Sequence, residues 1–225
     1  SFKEWKLILN YLSREGLESV HVTGGEPFLW PYTVDFLKHA QSLGITTSIL
    51  SNGLNIENLC KQNLSIMKRI SKAQISLDSM DEEVVNSRRG NSRAYQDSLS
   101  AIESLRRLNV PVDVSMVVDS ETIDGVKNVA SFCMEVGAKL ILRKLELYGR
   151  AEKNTNSCMV APHKSQFLEK ILVEDDFFYS PSKRLEGLLR GIVTIESTGK
   201  LTPTSWKLSK FGDQSLDLID LARIA

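Results

Sequence analysis

Helix-like and strand-like segments alternate one for one through residues 1–150, and that alternation restricts the fold more than any other feature of the chain. Ser1 and Glu4 stand three apart as a capping box, and Trp5, Ile8, Leu9 and Leu12 then share one helical face as far as Gly16. The β-branched run 19–23 (SVHVT) reads as a strand. Pro31 opens a second helix with an apolar stripe of Val34, Leu37, Ala40 and Leu43, closed by Gly44. Further strands are expected at 46–50, 73–77, 110–118 and 139–147, with helices at 56–67, 95–108 and 123–136. Strands joined through single helices need crossover connections, which are right-handed and give a parallel sheet. Five strands each follow a helix, but nothing strand-like precedes the first helix, and the first residue is Ser rather than Met. The expectation is that either a further strand lies ahead of Ser1 in the intact protein and pairs an otherwise open edge, or something else covers that edge.

From Asn154 the rhythm changes. Residues 151–160 are polar and 164–172 read as a helix. Residues 192–195 and Leu201 flank Ser197-Thr198-Gly199 like a small hairpin, and 215–222 form a short helix. Two parts are therefore expected: an α/β core over 1–153 and a C-terminal extension over 154–225. Charge excludes some partners, because 28 Lys+Arg cancel 28 Asp+Glu and leave no net field to gather nucleic acid or an anionic membrane surface. No apolar run reaches the roughly 18 residues of a membrane span. Three cysteines, sparse and odd in number, point to a reducing and hence cytoplasmic setting.

Chemistry-bearing residues gather where strands end. Thr23-Gly24-Gly25-Glu26-Pro27 follows the first strand directly, with two glycines to admit a ligand against the backbone and a carboxylate able to accept from an ammonium group. Ile49-Leu50 runs into Ser51-Asn52-Gly53, and Ile75-Ser76-Leu77 into Asp78-Ser79. Arg88-Arg89-Gly90, ahead of a helix, offers a guanidinium to a carboxylate. Parallel sheets bind ligands at the carboxyl ends of their strands, so these groups suit a ligand carrying both charges, amino-acid-like or nucleoside-like. Each motif alone also reads as an ordinary turn or cap. No Walker A string and no G-x-G-x-x-G is present.

The ordered set GGEP (24–27), SNG (51–53), SLDS (76–79), RRG (88–90) and YGRA (148–151) resembles the radical S-adenosylmethionine (radical SAM) superfamily, in particular members with a SPASM or twitch C-terminal extension, many of which modify peptides or proteins. The resemblance runs from Ser1 to about Ala222. It implies a partial (β/α)6 barrel, here lacking its first strand, with a small hairpin-plus-helix extension. By the same resemblance Gly24, Gly25 and Glu26 of the GGEP stretch, with Pro27 closing it, meet the amino group of S-adenosylmethionine (SAM). Ser51 and Asn52 meet its ribose, Ser76 and Arg89 approach its carboxylate beside Asp78, and Val117 borders the adenine. The implied substrate is a peptide, a protein or a small molecule.

Two features depart from the family. Its members hold a [4Fe–4S] cluster on a CxxxCxxC loop, and the bound SAM then yields a 5′-deoxyadenosyl radical. Cys60, Cys133 and Cys158 form no such loop, and Cys60 and Cys133 sit on helical patterns as packed thiols. No metal ligand is therefore assigned within the chain, and a cluster is expected only if its ligands lie outside these residues. In the extension, 196–204 (ESTGKLTPT) resembles the SPASM or twitch hairpin, but Thr204 stands where a cysteine usually follows the proline. Two readings remain open: the SAM-binding core of a radical SAM enzyme, or a cluster-less relative that acts as a non-catalytic binding module and holds a partner through the pocket or through its extension. A cofactor-free enzyme working through Glu26 and Arg89 has no visible nucleophile–base pair to recommend it.

Overall fold

A computed structural model of the chain describes residues 1–144, 193–195 and 201–203. Helix α1 (Phe2–Arg14) begins at Ser1, whose side chain accepts from the Glu4 N–H while the Glu4 carboxylate takes the Ser1 amine, so the expected capping box forms. Strand β1 (Ser19–Val22) leads through a 3-10 turn at Pro27–Leu29 into α2 (Thr33–Ser42). The chain continues through β2 (Thr46–Ser51), α3 (Ile56–Gln62), α4 (Leu64–Met67), β3 (Lys72–Ser76) and α5 (Glu82–Arg89). It then forms α6 (Ala94–Arg107), β4 (Val112–Val118), α7 (Val126–Val136) and β5 (Lys139–Lys144). The five strands make one sheet in the order β1-β2-β3-β4-β5, every pair parallel. That is the α/β fold the alternation demands. The expected hairpin is present as β6 (Val193–Ile195) and β7 (Leu201–Pro203), antiparallel with Ile195 opposite Leu201.

Period-two alternation gives the sheet two unlike faces. Ile49, Ala73, Ile75, Val114, Met116 and Leu140 are fully buried on one of them, against Leu37, Ile56, Ile102, Leu105 and Val129 of the helices. Each of these side chains larger than alanine contributes about 1.5–3 kcal/mol when fully buried. The residues between them, Gln74, Ser76, Asp113, Ser115 and Val117, fall on the opposite face. The helix-facing side is uniformly apolar and the other face is mixed, with Gln74, Ser76, Asp113, Ser115 and Arg143 beside Val117 and Ile141, the patterning of a barrel wall more than of a sheet sandwiched between helices.

A second cluster fastens α1 to α2. Leu9, Phe36, Ala40 and Ile45 are buried there, with Phe2, Trp5 and Trp30 packed against them. Trp5 and Phe36 meet edge to face at 5.5 Å, and Phe2 stacks on Tyr32 at 5.6 Å. Trp30 is thus a core aromatic, and it holds the segment that follows GGEP.

Several boundaries differ from the sequence expectation. The helix expected at 56–67 is broken at Asn63, whose φ of −125° and ψ of 41° separate α3 from α4. Helix α2 starts at Thr33, with Tyr32 at the N-cap and Pro31 before it. Helix α5 has no counterpart in the periodicity, because it buries only Val85; Asp81 nucleates it by accepting from the Glu83 and Val84 N–H groups. Arg88 and Arg89 therefore form the last turn of a helix, closed by left-handed Gly90 at φ 63°, instead of a loop. His39 on α2 is half-buried and bonded to Asn10 at 2.9 Å. The helices expected at 164–172 and 215–222, the YGRA segment, Cys158 and Thr204 lie outside the described residues.

Candidate functional site

The loop after β1 is set by one carboxylate. Gly24 has a φ of 146°, a conformation side-chain-bearing residues rarely adopt, and it turns the chain out of the strand. Two residues on, the Glu26 carboxylate accepts from the Phe28 N–H (3.1 Å), the Ser51 hydroxyl (2.9 Å) and the Asn52 N–H (2.8 Å). The side chain caps the 3-10 turn begun by buried Pro27 and staples that turn to the end of β2. Buried Thr33 secures the loop's other side by donating to the Pro27 and Trp30 carbonyls. Three donors on a group with about four lone-pair directions leave room for one more, such as an ammonium.

Beyond β2, the Ser51 hydroxyl donates to Glu26 and accepts from the Gly53 N–H, so it is committed within the protein. Asn52 turns its Oδ1 to the Leu54 N–H, an Asx turn. Gly53 admits no other residue. Its φ is 94°, and a Cβ there would lie 2.7 Å from the Asp97 carbonyl oxygen. That close approach brings α6 onto the strand ends, where the buried Ser98 hydroxyl lies 3.1 Å from both the Asn52 and Ser76 carbonyls. The same hydroxyl is nearest the Ala94 carbonyl of its own helix, at 2.8 Å, and one proton serves one acceptor at a time, so Ser98 shares its proton among three carbonyls, two of them at strand ends.

The ends of β3 and β4 are joined by a second carboxylate. Asp78, 4% exposed, accepts from Arg89 Nη2 at 2.8 Å through one oxygen and from the Val117 N–H at 2.9 Å through the other. A third follows: Asp119 takes Arg88 Nη2 at 2.6 Å and the Glu121 and Thr122 N–H groups, while Arg88 also reaches Glu121. Glu26, Ser51 and Asn52 therefore touch one another directly, as do Asp78, Arg89 and Val117, and Ser98 bridges the two groups through Asn52 and Ser76. Gly24 and Gly25 stand exposed at the same edge, and a Cβ on Gly25 would meet nothing within 4 Å. Sequence reasoning missed Ser98 and Asp119, and with Asp119 the partner of Arg88. Ser98 had a legible signal, a lone hydroxyl on the apolar stripe of Ala94, Ala101, Ile102 and Leu105.

The cysteines do not belong to this edge. Cys60 on α3 and Cys133 on α7 are buried in the core. Burial, with a smaller push from Glu57, raises the Cys60 thiol to about 11, and burial alone raises Cys133 to about 12. Iron ligands must be thiolates brought together, so these two residues do not fit a [4Fe–4S] cluster. Among the described residues no group of three or more His, Cys, Asp or Glu could hold a metal ion. The strand-end groups do suit SAM, combining a carboxylate with capacity to spare, a guanidinium and open glycine backbone.

The sequence profile of the Radical SAM superfamily matches residues 1–133. Sporulation killing factor maturation protein SkfB of Bacillus subtilis strain 168 is 31% identical over 138 residues, covering 61% of this chain and 33% of that protein. The PqqA peptide cyclase of Bradyrhizobium diazoefficiens is 24% identical over 221 residues, covering 89% of this chain and 57% of the cyclase. The chain thus spans between a third and somewhat over half of these relatives' lengths. Among solved structures, Streptococcus suis SuiB bound to its precursor peptide SuiA superposes with a TM-score of 0.69 at 15% identity, over 99% of this chain and 57% of SuiB. Native anSMEcpe with bound AdoMet gives 0.65 at 21% identity, over 97% of this chain and 68% of that one.

Proposed function

Because the chain belongs to the radical SAM superfamily, we propose that it forms the SAM-binding core of an enzyme that modifies a peptide. One observation carries this reading. The carboxyl ends of β1 to β4 are joined side chain to side chain, through Glu26–Ser51–Asn52 and Arg89–Asp78–Val117, into a fixed edge that presents glycine backbone and a guanidinium together. Gly24, Gly25 and the remaining capacity of Glu26 would hold the amino group, Arg89 and Ser76 the carboxylate, Asn52 the ribose, and the strand at Val117 the adenine. Bound there, SAM supplies the reactive adenosyl group that this superfamily uses to abstract hydrogen. The described residues of this chain bind and orient it; among them no group fits as cluster ligands, and no step is assigned to Cys60 or Cys133. A peptide substrate is supported by the relatives, one named a killing factor maturation protein, one a peptide cyclase, and one solved with its precursor peptide. A cytoplasmic setting, and a C-terminal unit over 154–225 that meets a protein partner, complete the proposal.

Calorimetry with S-adenosylhomocysteine, a stable analogue of SAM, tests the core of it. Binding by the protein and its loss in Arg89→Ala are expected. Absence of binding in a folded protein would overturn the reading. Anaerobic incubation of the complete protein with iron, sulfide, a reductant and SAM separates an enzyme, which cleaves SAM, from a module that only holds it.

A further inference from the structure

We infer that the sheet face turned away from the helices carries a second subsite, at Gln74, Ser115 and Arg143, which receives an acceptor oxygen of the substrate. The inference rests on the peptide-modifying reading above. Gln74 lies in the middle of β3 between Ala73 and Ile75, both wholly buried against the helices, so alternation turns its side chain to the other face. It pairs in register with Asp113 of β4 and is itself only 7% exposed. Arg143 of β5 lies across it, donating through Nη2 to Gln74 Oε1 at 3.3 Å and through Nε to the Ser115 hydroxyl at 3.1 Å.

A guanidinium has only donors, so this contact fixes the orientation of the amide: its oxygen faces Arg143 and its NH2 points elsewhere. Gln74 Nε2 is buried and has no hydrogen-bond partner. Asp113, its register partner, pairs with Lys72 through Oδ2 at 2.8 Å and makes no hydrogen bond to Gln74 Nε2. A buried amide donor left unpaired is unfavourable, and methionine would fill a similar volume without one. An acceptor arriving from outside the protein resolves the conflict.

Position supports a substrate as its source. Gln74 precedes Ser76 by two residues and Asp78 by four, which places it roughly 7 and 13 Å below the edge at about 3.3 Å per residue. It lies on the same inner face, beneath the proposed cofactor site. The acceptor class is a peptide oxygen, either a side-chain carboxylate or a main-chain carbonyl.

The test is a titration of the 15N-labelled protein with acetyl-Ala-Glu-Ala-amide and, separately, acetyl-Ala-Leu-Ala-amide. The Gln74 side-chain amide signals are assigned by their disappearance in Gln74→Met. A shift of those signals with the Glu peptide alone supports a carboxylate, and equal shifts with both support a main-chain carbonyl. The Gln74→Met and Gln74→Glu proteins, which lack the amide donor, are expected to lose the peptide-induced shifts of neighbouring strand amides. Gln74→Met is expected to melt no lower than the parent, since it gives up only an unpaired donor and one long contact. Still signals for Gln74 with both peptides, or unchanged neighbour shifts in Gln74→Met, would overturn the subsite. S-adenosylhomocysteine affinity is measured in parallel. Intact affinity with a silent Gln74 refutes the subsite alone, whereas absent affinity with a responding Gln74 refutes the cofactor reading and leaves the subsite standing.

Discussion

Replacing Asp78 by asparagine isolates the charge that joins the ends of β3 and β4. The side chain is 5% exposed and Arg89 30% exposed, with their contact at 2.8 Å. Asparagine keeps an oxygen for the Val117 N–H but turns an amide donor toward a guanidinium that can only donate. Losing a hydrogen bond to a charged group removes about 1.5–3 kcal/mol. Breaking a fully buried ion pair removes about 3–5 kcal/mol, a value not reached here because water can reach Arg89. The expected loss is therefore about 2 kcal/mol. Alanine also strands the Val117 N–H and should cost about 1–3 kcal/mol more. Urea unfolding at constant slope measures both variants. S-adenosylhomocysteine calorimetry should show weaker binding by Asp78→Asn, because Arg89 and the strand at Val117 lose their common anchor. An asparagine variant within about 0.5 kcal/mol of the parent, the ordinary range of a surface change, would refute the assignment of Asp78 as the tie.

Other expectations follow from the same coordinates. Gly53→Ala forces a Cβ to 2.7 Å from the Asp97 carbonyl at a φ of 94° and should destabilise by about 2–4 kcal/mol in urea. Gly25→Ala meets nothing within 4 Å and should leave stability within about 0.5 kcal/mol while weakening S-adenosylhomocysteine; unchanged affinity would mean that no ligand approaches this backbone. Cys60 and Cys133, raised to about 11 and about 12, should resist a disulfide reagent at pH near the usual thiol value of about 8.5 until urea unfolds the protein; rapid native labelling of either, mapped by mass spectrometry, contradicts their burial. Burial and then Lys6 lower the His39 pKa from 6.5, so the unfolded chain binds the proton more readily. Stability should therefore be fullest above 6.5 and fall as the pH drops through that value, and His39→Gln should flatten this slope.

Much of the fold was legible because periodicity reports burial. The capping box at Ser1, the strands flanked by apolar helical stripes and the hairpin at Val193–Ile195 and Leu201–Pro203 all follow from which side chains face a core. Helix α5 was hidden for the same reason: it buries only Val85 and is held by its Asp81 cap and the pairs made by Arg88 and Arg89. The site was legible at the level of loops, since Gly24, Glu26, Asn52 and Asp78 each follow a strand. Their partners were not, because hydrogen bonds between Glu26 and Asn52, or Asp78 and Val117, join residues 26 and 39 positions apart and leave no local signature. Gln74 was readable as a polar residue inside a strand, but its pairing with Arg143, 69 positions on, was not.

The same physical device recurs at three places along the edge. Glu26, Asp78 and Asp119 each accept from at least one main-chain N–H, and the two aspartates each also hold an arginine. A loop that leaves a parallel strand has backbone donors without ladder partners, and a carboxylate that collects them converts a mobile turn into a fixed one. Reading Glu26 simply as a ligand contact therefore understates it. Its removal would release the Phe28 turn and the end of β2 together, so a Glu26→Gln protein that loses both stability and cofactor affinity would not identify a direct contact. Gly25→Ala perturbs the open surface and not the tie, and Asp78→Asn perturbs a tie and not the open surface. The two variants divide what Glu26 combines: affinity lost without stability marks where the ligand lies, and stability lost with affinity marks what holds the site in shape.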